Sequence, residues 1–178
     1  MSIEELVAEA NKYKVYYGNE GGVTLGGGEP LAQQNGALAL IRALQHEGIH
    51  VCLDTSGVPY SEEILNEVDL TILDFKHTEP VEFLELTKYK IDDTLKTLQF
   101  LKTNKKRFWV RQVIVEGITD SDEQVLRLKE LAAGAEKIEL LAYHKMGVDK
   151  WKAAGFDYAL DHVPATSKDT MDRVRALL

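Results

Sequence analysis

Short runs rich in β-branched residues alternate with longer amphipathic stretches along this chain, and that alternation constrains the fold more than any other feature. Short apolar runs bounded by turn residues fit strands, and apolar residues at helical spacing between them fit helices. The pattern is that of repeated βα units around a parallel sheet. Strands are expected at Gly22 to Leu25, Ile49 to Leu53, Leu70 to Phe75, Phe108 to Val115 and Lys137 to Ala142. Helices are expected at about Ile3 to Tyr16, Leu31 to His46, Ser61 to Val68, Ile91 to Thr103 and Ser121 to Ala133, with two more around Lys150 and from Ser167 to Leu178. Pro30 suits the first residue of a helix, where no amide partner is needed, and Gly48 and Gly134 suit left-handed helix ends. The class is α/β, with parallel strands joined by crossover helices. Such units build either an open doubly wound sheet or a barrel, and periodicity leaves both open.

In either architecture a ligand lies at the carboxyl edge of the strands, so the residues that end each strand are the informative ones. They are polar here. The first strand runs into Gly26-Gly27-Gly28-Glu29-Pro30, the second into Asp54-Thr55-Ser56-Gly57 and the third into Asp74-Phe75-Lys76-His77. The fourth carries Arg111 and Gln112 in an otherwise apolar run, and the fifth ends in Tyr143-His144-Lys145. Consecutive glycines let a backbone approach a ligand closely, and Glu29 can accept hydrogen bonds from an ammonium group; a plain turn explains the glycines equally well. Asp74 and Lys76, two apart on a strand, share a face and can pair there, for structure or for function. Asp54 and Thr55 offer hard oxygen ligands for a cation, yet Asp-Thr-Ser-Gly is also turn chemistry. His144 can stack on or hydrogen-bond to a ligand, or simply be a satisfied polar residue. The coincidence at one edge carries the weight, because so many polar groups are costly to bury without a ligand or one another. A lumen that binds a zwitterion resolves that cost.

Size, charge and cysteine content narrow the classes. The 178 residues contain no internal repeat or linker, so one domain is expected over residues 1–178. A formal net charge of −8 argues against nucleic acid or an anionic membrane surface as partner. The sequence shows neither a secretory leader nor an apolar run of bilayer length, and a cytoplasmic location is expected. The single cysteine, Cys52, excludes an intrachain disulfide and any zinc or iron-sulfur site built on several thiolates.

Five segments then carry a resemblance: Gly21 to Leu31 with its Gly26-Gly27-Gly28-Glu29-Pro30, Gly48 to Gly57 with Asp54-Thr55-Ser56-Gly57, Leu73-Asp74-Phe75-Lys76, Val110 to Gly117 with Arg111, and Lys137 to Gly147 with Tyr143-His144-Lys145-Met146-Gly147. Lys150, Trp151 and Gly155 follow. In this order, and over nearly the whole chain, they closely resemble the pyruvate formate-lyase activating enzymes, glycyl-radical enzyme activases of the radical S-adenosylmethionine (SAM) superfamily. The resemblance implies a partial (β/α) TIM-like barrel of radical SAM type, with its first βα unit missing. It implies reductive cleavage of S-adenosylmethionine to a 5′-deoxyadenosyl radical, which abstracts hydrogen from a partner glycine. Gly27, Gly28 and Glu29 would contact the methionine amino end, and Lys76 its carboxylate. Asp74, Phe75 and His144 would contact the rest of the cofactor. Asp54, Thr55, Asp74 and the carbonyl of Ile72 match a monovalent-cation site, and Arg111 and Val113 match positions lining the lumen. The implied partners are pyruvate formate-lyase or another glycyl-radical enzyme, and an electron donor such as reduced flavodoxin or ferredoxin.

The departures matter as much. The family's C-x-x-x-C-x-x-C loop, which ligates a [4Fe–4S] cluster, does not occur in this sequence, so this chain alone is expected to be unable to bind the cluster and to be inactive. Gly26 stands where serine is usual, and Glu116 and Ala142 stand where proline is usual. Two other readings stay open: a non-catalytic module that binds a glycyl-radical enzyme, and a small α/β barrel enzyme with acid–base chemistry from Asp54, Asp74, Lys76 and His144.

Overall fold

The structure is a computed structural model, and it describes residues 1–18, 21–147, 155 and 160–178. The helix expected around Lys150 and the Lys150-Trp151 pair lie outside the described residues. Five strands form one parallel sheet in sequential order: β1 (Gly22–Leu25), β2 (His50–Thr55), β3 (Leu70–Asp74), β4 (Phe108–Ile114) and β5 (Lys137–Ala142). The sheet is open, as a partial TIM-like barrel requires, with β1 and β5 at its edges. The helices are α1 (Ile3–Lys12), α2 (Lys14–Tyr17), α3 (Gln34–His46), α4 (Glu62–Glu67), α5 (Pro80–Thr87), α6 (Asp92–Thr103), α7 (Asp122–Leu131) and α8 (Lys168–Arg175).

Alternation along the strands separates two faces. Val51, Leu53, Leu73, Phe75, Val110 and Ile114 point to the helical layer and pack in one core with Leu31, Ile41, Leu44, Ile64, Leu65, Leu98, Leu101, Val125 and Leu128. The opposite, inner face carries Thr24, Cys52, Asp54, Ile72, Asp74, Trp109, Arg111 and Glu139. The register puts Asp54 level with Ile72, Asp74 with Arg111, and Arg111 with Glu139, so the charges fall on adjacent rows.

Local chemistry sets the element ends. Ser2 and Glu5 form a reciprocal capping box at the start of α1, with Ser2 Oγ accepting from the Glu5 amide at 3.2 Å and Glu5 Oε2 from the Ser2 amide at 2.7 Å. The helix expected to continue to Tyr16 breaks at Tyr13, and the Tyr17 hydroxyl donates to the Ala10 carbonyl at 3.0 Å, folding α2 back on α1. Pro30 opens a short 3₁₀ turn ahead of α3, while Gly48 and Gly134 sit at positive φ past their helices, as the sequence predicts. Helix α5 was not expected. Its Val81, Leu84 and Leu86 are exposed and Phe83 is its buried residue, so it lacks an apolar stripe for periodicity to find.

At the β1–β2 seam, a Cβ on Gly22 would stand 2.1 Å from the His50 carbonyl oxygen, so the strands pair closely because glycine is there. At the other side of the molecule α8 is strapped to the end of β4. Thr166 Oγ1 donates to the Ile114 carbonyl at 2.6 Å, Glu116 accepts from the Ser167 amide at 2.9 Å and from Thr170 Oγ1 at 2.7 Å, and Arg173 pairs with Asp120 and Asp122.

Candidate functional site

The first group lies where β1 and β2 end. Gly27 takes φ +99°, and added Cβ atoms at Gly27 and Gly28 would meet nothing within 4 Å, so this loop presents open backbone. The Glu29 carboxylate is turned into the protein. It accepts from Thr55 Oγ1 at 2.5 Å, the Ser56 amide at 2.9 Å, Ser56 Oγ at 2.7 Å and the Leu31 amide at 3.1 Å, which makes it the N-cap of the 3₁₀ turn as well as a tie to β2. Thr55 Oγ1 in turn accepts from the Gly57 amide at 2.9 Å.

The second group crosses the middle of the inner face. Arg111 reaches over β3 to Asp54, Nη1 to Oδ2 at 2.6 Å, while its Nε donates to Glu139 Oε2 at 2.8 Å. Lys137 pairs with Glu139 Oε1 at 2.6 Å and rides 4.6 Å above the Trp109 ring. Burial disfavours the guanidinium charge, but the bonds to Glu139 and Asp54 outweigh it and raise the Arg111 pKa. The Glu139 carboxyl is lowered, first by Lys137 and then, against some burial, by Arg111.

Asp74 and Lys76 pair as the two-residue spacing predicts, Nζ to Oδ2 at 2.6 Å. Burial pushes the Asp74 pKa up, Lys76 opposes that, and the Asp54 charge adds to it. Asp74 Oδ1 is buried with no hydrogen-bond partner. In the cation set the resemblance implies, Asp54 and Asp74 therefore each hold an internal cationic side chain, and the Thr55 hydroxyl serves Glu29. Among the described residues no three His, Cys, Asp or Glu side chains are grouped for a metal ion. Cys52 stands half-buried on β2 beside Thr24, with its thiol pKa raised by burial.

The third group walls a cavity of about 480 Å³ at the carboxyl edges of β3, β4 and β5. Val113, Val115 and Leu141 supply apolar wall, with Lys76 and His144 as the charged and ionisable members, and Phe75 adjoins the cavity from behind. Lys76, Phe75, Val113 and His144 are thus brought together. Gly27, Gly28 and Glu29 are not among its lining residues, and Ile72 instead lines a hollow of about 630 Å³ toward the amino ends of the strands, with Cys52 and Trp109. The Phe75 ring has no exposed surface and belongs to the core.

Residues 1–128 match the model of the radical SAM superfamily. The pyruvate formate-lyase 1-activating enzyme of Escherichia coli K12 is 36% identical over the whole chain, which spans 76% of that enzyme. The pyruvate formate-lyase-activating enzyme of Staphylococcus epidermidis is 36% identical over 92% of the chain and 70% of that enzyme. The chain belongs to the radical SAM superfamily, in the family of the pyruvate formate-lyase-activating enzymes. A solved domain of the pyruvate formate-lyase-activating enzyme from Bacteroides vulgatus shares the fold of this radical SAM chain at a TM-score of 0.72 and 19% identity, with 88% of this chain and 92% of that one covered.

Within this radical SAM fold, sequence reasoning missed Glu139, Ser56 and Thr119. Glu139 had a readable signal, since a carboxylate between Ile138 and Leu140 in a strand interior has to find a cation. Ser56 and Thr119 act through turns, where hydroxyl partners follow from three-dimensional closure.

Proposed function

We propose that this chain is the S-adenosylmethionine-binding part of a glycyl-radical enzyme activase that acts on pyruvate formate-lyase. The observation that carries the reading is the cavity formed by Lys76, Val113 and His144, in a chain of this family. Its volume, about 480 Å³, lies within the range of small-molecule cofactor sites. A mainly apolar wall suits a nucleoside, and an ammonium at the rim suits a carboxylate. S-adenosylmethionine held there would supply, once reduced by one electron from outside this chain, radical chemistry for taking a hydrogen atom from a partner glycine.

The residues of this chain bind and orient. Lys76 reaches the cofactor carboxylate while sharing its charge with Asp74. Val113 and His144 flank the nucleoside end. Glu29, Gly27 and Gly28 receive the methionine amino end once the carboxylate exchanges part of its internal bonding for the ammonium. Arg111 stands fixed between Asp54 and Glu139, facing the lumen. The iron-sulfur cluster does not fit: Cys52 is the sole thiol in the sequence and lies inside β2, and no step here runs through a cluster. The chain by itself is therefore read as binding the cofactor without cleaving it. The second reading is a non-catalytic module that docks a glycyl-radical enzyme.

Isothermal titration calorimetry with S-adenosylmethionine tests the first reading. Wild-type binding, weakened about tenfold or more in Lys76→Ala and in Glu29→Ala, is expected; a wild-type chain that takes up no heat overturns it. Retention of purified pyruvate formate-lyase on the immobilised chain in the absence of cofactor supports the second.

A further inference from the structure

We propose that His77 is a positioning residue that holds Lys76 and the wall of the cofactor cavity in one geometry. This rests on the cofactor reading above and adds a residue to it. His77 follows Lys76 directly and is buried to 5% exposure, beyond the end of β3. Both ring nitrogens are engaged. Nδ1 lies 3.0 Å from the Glu79 amide, and Nε2 lies 3.2 Å from the Ile118 carbonyl. A backbone N–H can only donate, so Nδ1 is the acceptor; a carbonyl can only accept, so Nε2 carries the proton. The ring is thereby fixed as the neutral Nε2–H tautomer, bonded to its own loop on one side and to the loop after β4 on the other.

The bond to Ile118 leads to the cavity. Ile118 and Thr119 both line it. Thr119 Oγ1 donates to the Val113 carbonyl at 2.8 Å and accepts from the Val115 amide at 2.8 Å, so one hydrogen-bonded path runs from the residue beside Lys76 to the opposite wall. A second buried tether runs parallel to it. The Thr78 hydroxyl donates to Gln124 Oε1, and Gln124 Nε2 donates at 3.1 Å to Gln112, which is fully buried between Arg111 and Val113 in sequence. The Lys76 loop is thus tied twice to the β4–α7 segment by polar groups that an apolar contact would replace more cheaply if only packing were needed.

Three variants separate this role from a local loop cap. Glutamine carries an N–H to about where Nε2–H lies, and asparagine carries an acceptor to about where Nδ1 lies. Calorimetry with S-adenosylmethionine is expected to show His77→Gln within about threefold of wild type, and His77→Asn and His77→Ala weakened about tenfold, the ratio one lost hydrogen bond produces. Binding preserved in His77→Asn and lost in His77→Gln overturns the proposal and makes the residue a local cap; unchanged binding in His77→Ala overturns it too. Amide hydrogen exchange without ligand gives an independent answer. Faster exchange at Ile118 and Thr119 in His77→Ala but not in His77→Gln is expected, and protection at both unchanged in His77→Ala refutes the tether. If the wild-type chain binds no S-adenosylmethionine, the cofactor reading is what fails, and the exchange pattern still decides the tether.

Discussion

Glu139 and Asp74 face the same lumen with pKa values displaced in opposite directions, so acid affects them oppositely. Lys137 and Arg111 lower the Glu139 pKa below its unfolded value, so its contribution to stability is present above that value and is lost as pH falls through the folded pKa. Glu139→Gln is expected to cost about 1 kcal/mol near neutral pH, since the pair is partly screened by water, and to converge on wild type in acid; urea unfolding at a series of pH values checks this. Asp74 is raised by burial, so the folded chain holds its proton more tightly, and the stabilisation present at low pH is lost as pH rises through the folded pKa. In the same urea series, Asp74→Asn is expected to gain on wild type as pH rises through the carboxylate range. Gly26, where the resemblance implies serine, would place a Cβ 3.7 Å from the Asp54 Cβ, an ordinary contact. Gly26→Ser is expected to change the unfolding free energy by no more than about 0.5 kcal/mol, read by urea unfolding. Lys76 and His144, which the cavity brings together, were legible in the sequence because they follow strand ends. Internal pairings were not: Glu29 bonding to Ser56, and Arg111 choosing Asp54 over its level neighbour Asp74, depend on side-chain reach across the sheet.

The strands were readable nearly to the residue, because most are short β-branched runs closed by glycine or a charged group. Helix α5 was hidden because its exposed Val81 and Leu84 spoil the apolar stripe, and the break at Tyr13 was hidden because the pattern of α1 continues through it. Strand β1 depends on one glycine. Gly22→Ala forces a Cβ against the His50 carbonyl and is expected to cost about 2–4 kcal/mol, read as a large fall in melting temperature. At the opposite end Glu116, where the resemblance implies proline, supplies through its side chain a fixing that proline would supply through its ring. It receives the Ser167 amide and the Thr170 hydroxyl at the start of α8. Glu116→Ala is expected to speed amide exchange across Met171–Arg175 while leaving β4 protected.

Across the whole molecule, a parallel sheet with crossover helices is what the βα alternation demands, and the choice of sequential strand order with helices on one face over a doubly wound sheet came from the family resemblance. No described helix is long and apolar enough to cross a membrane. Among the described residues β1 has a strand neighbour on one side, and a bare parallel edge invites pairing. Sedimentation velocity over a concentration series is expected to show self-association that Thr24→Lys reduces. The Asp54–Arg111–Glu139 bridge has a consequence for shape. It joins β2, β4 and β5 over the top of β3, and strands two places apart lie about 10 Å from each other in a flat sheet. One guanidinium closing that span at 2.6 Å and 2.8 Å works as a ruler of fixed length. It sets how tightly the wall curls, and flattening the sheet has to break its Asp54 end first.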